Sequence, residues 1–247
     1  MQNNTNIKDE CIAIVLAAGQ GKRMGGKVQK QYLEVADRPV LFYSLDTFQK
    51  AHFINEIILV VGTGQIEYCK MEIVDKYGLN KVTKIVEGGS ERYFSVWNGL
   101  NAISSDKEND RINRYVFIHD GARPFITEEI LKRGYEEVKR CEACVIGMPV
   151  KDTIKIADEK GYADKTPKRD LVWMIQTPQI FEINLIKKAY KLLMNCDIIN
   201  ITDDAMVLET MLQQKVKLVE GSYENIKITT PEDLKIAEVF VKNKVKK

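Results

Sequence analysis

The stretch that decides the fold is residues 11–33, CIAIVLAAGQGKRMGGKVQKQYL. Its apolar run over Ile12–Ala18 has the length of a strand and no helical spacing, so it predicts a buried β-strand. Gly19 and Gly21 allow a tight turn that brings backbone N–H groups close to an anion. The cations of this segment are Lys22, Arg23, Lys27 and Lys30. Their charges can offset phosphate oxygens. The segment therefore predicts a polyphosphate site at the end of a buried strand.

Two well-known phosphate-binding motifs almost fit this segment. From Gly21 the chain has Walker spacing, but Val28 stands where a Ser or Thr hydroxyl would meet magnesium. From Gly19 it begins a dinucleotide-binding fingerprint, but Met24 replaces the third glycine. A surface loop with solvated lysines is the alternative, so the later segments must decide.

The composition is that of a globular chain with a sizeable core. Its 247 residues are 45% hydrophobic and 29% charged, which fits one large α/β domain or two small ones. We expect one domain over residues 1–247, with an inserted arm at 151–176. Lys and Arg number 37 against 35 for Asp and Glu, so the overall charge gives no reason to expect nucleic acid. The N-terminus lacks a signal-peptide layout and no apolar run approaches a membrane span, so we expect a cytoplasmic protein.

The five cysteines, at positions 11, 69, 141, 144 and 196, predict free thiols in a chain of this size. Cys141 and Cys144 form a C-x-x-C pair, which could be redox-active or half of a zinc site. No second pair accompanies it, and the histidines are limited to His52 and His119. Packing at a helix-to-strand junction is therefore the better interpretation.

Apolar strand-like runs alternate with helical segments along most of the chain. This order is typical of an α/β, Rossmann-like fold, with a mostly parallel twisted sheet and helices on both faces. The predicted strands are Ile12–Ala18, Ile54–Val61, Lys81–Val86, Tyr115–His119, Ala143–Val150, Val216–Glu220 and Ile226–Thr229. The predicted helices are Pro39–Lys50, Gln65–Tyr77, Glu91–Ile103, Thr127–Arg140, Glu182–Met194, Thr202–Leu212 and Pro231–Lys244. The alternation fails over 151–176, which predicts a hairpin arm that packs on a second subunit.

Unusual residues follow the third predicted strand, where ligands bind in open α/β sheets. The segment GGSERYFS contains Gly88 and Gly89, which allow close backbone approach. Ser90 and Ser95 can hydrogen-bond a base or a ribose. A turn with a helix N-cap at Ser90 explains the same pattern without a ligand.

The segment HDGARPF follows the fourth predicted strand. Asp120 is well placed there to hold Mg²⁺, and Arg123 to clamp a phosphate or a carboxylate. An ion pair between the two residues is the structural alternative. Lys227, inside a short apolar run, must lie at an edge or point into a site.

Taken in order, these motifs resemble the 2-C-methyl-D-erythritol 4-phosphate cytidylyltransferase family of glycosyltransferase-A-like nucleotidyltransferases. The motifs are LAAGQGKRM, KQYL, GGSERYFSV, HDGARPF, PVKDTIK, W-x-x-QTPQIF, ITDDA and EGSYENIKITTPEDL. Several ordered motifs with compatible spacing are stronger evidence than any single one. The chain departs from the family at Gln29, Ser90 and Gly121, where proline, an acidic residue and alanine are usual.

The resemblance implies that CMP is transferred from CTP to a polyol phosphate, 2-C-methyl-D-erythritol 4-phosphate, with Mg²⁺ as cofactor and pyrophosphate released. It implies catalytic roles for Arg23, Lys30 and Lys227, and a metal ligand at Asp120. It implies nucleotide-binding roles for Ala17, Ala18, Gly19, Gly21, Gly89, Ser90 and Ser95. It implies acceptor-binding roles for Arg123, Thr153, Arg169, Thr177, Thr202, Ile228 and Thr229. Within a homodimer, Thr153 and Arg169 would come from the arm of the neighbouring subunit.

Three alternatives stay open at this point. Ribitol 5-phosphate cytidylyltransferases share the cradle and the QTPQ-x-F motif, although PVKDTIK and the Ala-Ala-Gly turn favour methylerythritol phosphate. A noncatalytic nucleotide-binding protein could keep the fold without the chemistry. A sugar-phosphate nucleotidyltransferase that uses a purine triphosphate is the third. Whether Asp203 and Asp204 belong to the site or cap a helix is also open.

Overall fold

A seven-stranded sheet lies at the centre of the protein. The computed structural model describes residues 8–19, 29–104, 112–196 and 200–245. The strands of this sheet are β1 (Lys8–Ala17), β4 (Ile54–Val61), β5 (Val82–Glu87), β6 (Ile112–Asp120), β7 (Ala143–Pro149), β10 (Trp173–Glu182) and β11 (Lys217–Glu220). Their order across the sheet is β11-β7-β10-β6-β1-β4-β5. β10 is antiparallel to both of its neighbours, whereas the other pairs are parallel. The predicted mostly parallel α/β sheet is confirmed.

Helices cover both faces of the sheet. They are α1 (Val40–Lys50), α2 (Ile66–Cys69, continued by a π-helical segment at Lys70–Asp75), α3 (Arg92–Ala102), α4 (Glu128–Cys141), α5 (Ile183–Leu193), α6 (Asp204–Leu212) and α7 (Pro231–Val245). Along β1, Ala13 and Val15 pack into the core that contains α1 and α4. Ile12 and Ile14 pack into the core that contains α3, α5 and α6. Because both faces of β1 are buried, its sequence is a continuous apolar run rather than an alternating one.

Two small antiparallel pairs lie outside the main sheet, β2 (Glu34–Val35) with β3 (Arg38–Pro39), and β8 (Ile156–Ala157) with β9 (Ala163–Lys165). The second pair forms the predicted hairpin arm, but the arm is shorter than predicted. Trp173 already belongs to β10 and pairs with Pro149 of β7. The prediction of 151–176 was therefore wrong at its end. The polar, proline-containing stretch after the arm is typical of a loop, yet residues 176–181 are buried in the sheet.

The strand predicted at residues 226–229 is also wrong. This segment pairs with no strand in the part of the chain that the structure describes, and its Ile228 N–H donates to the carbonyl of Ala122 in the loop after β6. The Asp233 carboxylate accepts hydrogen bonds from Thr229 and from the Thr230 backbone, which fixes the entry into α7. Lys227 therefore lies on a loop tied to the end of β6.

All five cysteines are free, as predicted. Cys141 ends α4 and Cys144 is buried on β7, which is the helix-to-strand junction expected for them. Of the helices in the described ranges, none combines the length and the apolar character needed to cross a bilayer.

Candidate active site

A cavity of about 400 Å³ opens at the carboxyl ends of β1 and β6, beside the turn that follows β5. The predicted site residues that line it are Ala17, Ala18, Gly19, Lys30, Gly89, Ser90, Ser95, Asp120 and Lys227. They come from five segments that are far apart in the sequence. Above all, Lys30 and Lys227 line the same cavity, so two cations can act on one ligand.

The turn after β1 is held by a buried glutamine. The Gln31 side-chain amide donates to the carbonyl of Ala17 at 2.5 Å and to that of Gly19 at 3.1 Å. Gln31 lies in the short 3₁₀ helix Lys30–Tyr32, so these bonds fix that helix against the turn. A Cβ at Gly19 would meet no heavy atom of the described residues within 4 Å. The predicted residues Gly21 and Arg23 lie outside the described residues.

The turn after β5 packs directly against the turn after β1. A Cβ on Gly88 would come within 2.5 Å of the Ala18 Cβ, so only glycine permits this contact. The Ser95 hydroxyl accepts a hydrogen bond from the Gly89 N–H at 3.1 Å and donates to the Glu91 carbonyl at 3.3 Å. Ser95 is buried, so its role here is to fix the turn that faces the ligand.

Ser90 is exposed on the cavity wall. The helix-cap alternative for this residue is wrong, because Glu91 occupies the N-cap position of α3. The Ser90 hydroxyl therefore lies where a nucleotide can reach it.

Asp120, the last residue of β6, is surrounded by cations. Lys227 Nζ lies 2.7 Å from its Oδ2, Arg92 Nε 3.5 Å from Oδ1, and Arg123 Nε 4.0 Å from Oδ2. Burial would raise the pKa of Asp120, but the charges of Arg92, Lys227 and Arg123 outweigh it and hold that pKa well below its usual range. Asp120 is therefore an ionised carboxylate on the cavity wall.

A hydrogen-bond chain supports Asp120 from behind. The Asp120 N–H donates to the Thr177 hydroxyl at 3.0 Å, which lies 3.1 Å from His119 Nδ1. His119 Nε2 lies 3.2 Å from the Arg123 carbonyl, so the neutral Nε2–H tautomer completes the chain. Burial lowers the pKa of His119 to about 4, which keeps the ring neutral. Thr177, predicted to bind the acceptor, is buried and does not line the cavity.

Comparisons with known proteins show which family this sequence matches. The sequence model of "2-C-methyl-D-erythritol 4-phosphate cytidylyltransferase" matches residues 11–243. The protein of that name from Lachnoclostridium phytofermentans is 49% identical over 234 residues, which are 95% of this chain and 97% of the relative.

The chain belongs to the 2-C-methyl-D-erythritol 4-phosphate cytidylyltransferase family.

Other members of this family agree in sequence and in structure. The Alkaliphilus oremlandii relative is 48% identical, with 94% of each chain covered. The crystal structure of 4-diphosphocytidyl-2C-methyl-D-erythritol synthase from Anaerococcus prevotii superimposes with a TM-score of 0.80 at 35% identity, covering 94% of this chain and 96% of that one. The similarity therefore extends over nearly the whole chain.

None of the seven acceptor-binding residues implied by the resemblance lines the cavity of its own chain. Thr153 and Arg169 are exposed on the arm. Thr202 is exposed and lines a different cavity, beside α6. Ile228 is buried in the small core against α7, so its side chain is a packing group.

Arg123 and Thr229 lie close behind the site without lining the cavity. Arg123 Nη1 donates to the Asn225 carbonyl at 2.8 Å, and its buried Nε has no hydrogen-bond partner within the described residues. The Thr229 hydroxyl donates to Asp233, which anchors the loop that carries Lys227.

Sequence reasoning missed Arg92 as a site residue of this cytidylyltransferase-family protein. Arg92 lines the cavity and donates two hydrogen bonds of 2.8 Å to Asp204. One signal was present in the sequence. A cation in the first turn of a helix opposes the helix dipole, so Arg92 at the start of α3 indicates a compensating partner. Asp203 caps α6 through the Met206 N–H, so the two adjacent aspartates have different roles.

Proposed function

We propose that this protein transfers CMP from CTP to 2-C-methyl-D-erythritol 4-phosphate and releases pyrophosphate. Membership of the family supports the reaction. The observation that carries it is the convergence of Lys30, Lys227 and Asp120 on one cavity at the carboxyl edge of the sheet. A noncatalytic nucleotide-binding protein would have no need to keep two lysines and an ionised carboxylate on the wall of one cavity.

The nucleotide would lie against the two turns that pack together. The backbone of residues 17–19 and the Gly89 turn with Ser90 both line the cavity and offer polar groups to a ligand. A concave site with a few polar groups suits a base and its ribose. The triphosphate would then extend toward Lys30, which lines the same cavity.

The residues present fit a magnesium ion that is carried mainly by the nucleotide. Within the described residues no cluster of three or more metal-ligating side chains occurs, so the protein offers no complete cage of its own there. Mg²⁺ commonly binds through one or two carboxylates together with substrate phosphates and water. Asp120, ionised on the cavity wall, would hold it, and the ion would supply charge to offset the triphosphate oxygens.

The chemical step needs positioning and charge rather than a general base. A phosphate oxygen of the acceptor attacks the α-phosphorus in line, the new P–O bond forms, and the bond to pyrophosphate breaks. The attacking phosphate carries no proton that must be removed. Lys30 and Lys227 would oppose the negative charge that gathers on the α-phosphate and the leaving group.

The acceptor half of the site would be completed by a second copy of the chain. Thr153 and Arg169 do not line their own cavity, and the arm that carries them exposes Ile156, Tyr162 and Leu171. Apolar side chains on a projecting hairpin are typical of a contact surface. In a twofold dimer each arm would bring these residues to the partner's cavity.

The reaction is tested by measuring pyrophosphate release from CTP with Mg²⁺ and each acceptor. We expect turnover with 2-C-methyl-D-erythritol 4-phosphate and a kcat/KM for ribitol 5-phosphate lower by about two orders of magnitude. Comparable or higher values with ribitol 5-phosphate would reassign the acceptor. No release with any polyol phosphate would revive the noncatalytic alternative, and ATP or GTP in place of CTP tests the base.

The shared site is tested by mixing Lys30→Ala with Arg169→Ala and assaying at an acceptor concentration far below the KM of Arg169→Ala, where each variant alone is nearly inactive. In a heterodimer of the two, one cavity receives both changes and the other receives neither. Random exchange of subunits should therefore restore about a quarter of the wild-type activity. Activity no higher than that of the separate variants would contradict an arm that acts on the partner. The cytoplasmic location expected from the sequence stays a prediction.

A further inference from the structure

Asp204 is a fully buried residue whose carboxylate accepts hydrogen bonds from two other side chains. Its two oxygens each accept a hydrogen bond of 2.8 Å from Arg92, through Nη1 and Nη2. The Tyr190 hydroxyl donates to Oδ1 at 2.6 Å. The Asp204 N–H donates to the Gln179 side chain at 2.9 Å, so backbone and side chain are both fixed. Asp204 is 0% exposed and does not line the cavity, so it acts on a ligand only through Arg92.

The two parallel hydrogen bonds to Asp204, which form a fork, fix the plane of the Arg92 guanidinium group. A bidentate pair with a carboxylate sets both the distance and the orientation of an arginine. In this orientation Nε faces Asp120 at 3.5 Å, which is longer than the distance of a normal N–H···O hydrogen bond. Asp204 therefore holds Arg92 near Asp120 without letting it close onto that carboxylate.

The cations around Asp120 compete with a metal ion for this carboxylate. Arg92, Lys227 and Arg123 all lie within 4.0 Å of the carboxylate. Each cation that binds a metal ligand competes with the metal for it. Because Asp204 already takes two N–H groups of Arg92 and offsets its charge, Arg92 competes less than its position alone would imply.

We propose that Asp204 is a positioning residue for the nucleotide's metal ion. Its carboxylate fixes the orientation of Arg92 and offsets the positive charge of that residue, and the pair thereby sets how tightly Asp120 binds a divalent cation. The inference rests on the proposed function in one respect, the assignment of Asp120 as the metal ligand. A merely structural ion pair in the core would affect folding and leave the metal affinity unchanged.

The direct test replaces Asp204 with asparagine, which has nearly the same shape. The introduced amide would turn its NH₂ group toward Arg92, so one hydrogen bond of the fork is lost and the charge of Arg92 is no longer offset. Binding of Mn²⁺ is measured by electron paramagnetic resonance with saturating CTP and no acceptor, so no turnover occurs. We expect Asp204→Asn to raise the Kd for Mn²⁺ about tenfold, the size of effect of one charge a few ångströms from a carboxylate.

Two further variants isolate the role of Arg92. Arg92→Gln removes the competing charge and should bind Mn²⁺ more tightly than the wild type, with CTP kept saturating. The double variant Asp204→Asn/Arg92→Gln should lose the tenfold weakening. If Asp204→Asn does not fold, Arg92→Gln carries the test, and an unchanged or higher Kd for Mn²⁺ in that variant overturns the proposal.

Tyr190→Phe is the matched control for stability. It removes the other hydrogen bond to Asp204 and leaves both charges of the pair in place. Its melting temperature should fall while its Kd for Mn²⁺ stays within twofold of the wild type. An equal weakening in Tyr190→Phe, or no weakening in Asp204→Asn, overturns the proposal. Absence of pyrophosphate release by the wild type would instead refute the proposed function, and Mn²⁺ binding with CTP would still report on the charge arrangement.

Discussion

The carboxyl edge of the sheet and the arm differ in how their polar residues are held. At the sheet edge Asp120 is buried, ionised and in contact with charges from several distant segments. On the arm, Thr153 and Arg169 are exposed, and so are all five residues of β8 and β9. The first region is organised within one chain, whereas the second would be organised only by assembly.

This difference indicates how the proposed reaction is divided. Charge stabilisation needs groups that do not reorganise during the step, and a buried network satisfies that need. Acceptor recognition can use a site that forms only when two subunits associate, because the free energy spent on ordering that site lowers the acceptor affinity and not the rate of the chemical step. Changes at the sheet edge should therefore affect kcat, and changes on the arm should affect the KM for the acceptor.

Lys30→Ala gives the largest expected effect and tests the sheet edge. Removing one preorganised cation from the reacting phosphate should lower kcat about 100- to 1,000-fold. The measurement is the rate of pyrophosphate release at saturating substrates. Lys76→Ala is the control, because Lys76 is exposed and paired with Glu72 away from the cavity. Turnover near the wild-type rate in Lys30→Ala would remove Lys30 from the catalytic set.

Arg169→Ala tests the arm and should separate the two regions most clearly. Loss of a hydrogen-bonded cation from a phosphate typically costs about 1.5–3 kcal/mol, which is roughly 10- to 100-fold in affinity. We expect that increase in the KM for the acceptor, with the KM for CTP unchanged, in steady-state assays. Lys168→Ala, at the exposed neighbouring residue, should leave both values unchanged. A matching rise in the KM for CTP would contradict the division.

The buried region should also be the acid-sensitive one. The pKa of His119 is lowered to about 4 by burial, so between about pH 6.5 and pH 4 the unfolded chain binds a proton that the folded chain does not. This contribution is fully present above about pH 6.5 and is lost as the pH falls, by about 2 kcal/mol between pH 7 and pH 5. Urea unfolding at both pH values should show a smaller loss in His119→Asn. An equal loss in the variant would mean that other groups dominate.

Ser95→Ala gives the smallest expected effect and tests whether the turn after β5, which contains Gly89, binds the nucleotide. It leaves the Gly89 N–H without its hydroxyl acceptor, which should cost about 1 kcal/mol. We expect about a fivefold rise in the KM for CTP and little change in the KM for the acceptor. A rise confined to the acceptor would show that this turn does not face the nucleotide.

The sequence predicted the helices and strands whose pattern of apolar and polar residues is sufficient to specify them. Ile54–Val61 has the predicted bounds, and its last five residues, 57–61, form the continuous apolar run expected of a strand buried on both faces. β10 was missed since Gln176, Thr177 and Pro178 have the composition of a loop. These polar residues are buried because they bond to partners far away in sequence, such as Asp120 and Asn225.

The same reasoning explains which site residues were found. Lys30, Asp120 and Lys227 are charged residues after or within strand-like apolar runs, and their motifs also resemble a family; the structure brings all three to one cavity. The pair of Arg92 with Asp204 joins residues 112 positions apart, so no local pattern specifies it. The end of the arm depends in the same way on which strand pairs with β7, a tertiary choice that periodicity does not reveal.

The pairing of Trp173 with Pro149 has a consequence for how such proteins can diversify. The two ends of the arm lie opposite each other at the last pair of one antiparallel ladder, so the segment between them leaves the sheet and returns to it at the same place. Lengthening, trimming or exchanging this segment leaves the register of the remaining ladder unaltered. In the proposed reaction this segment would carry the acceptor and subunit contacts, so a change in its length or sequence would alter those contacts without altering the sheet that carries the nucleotide site.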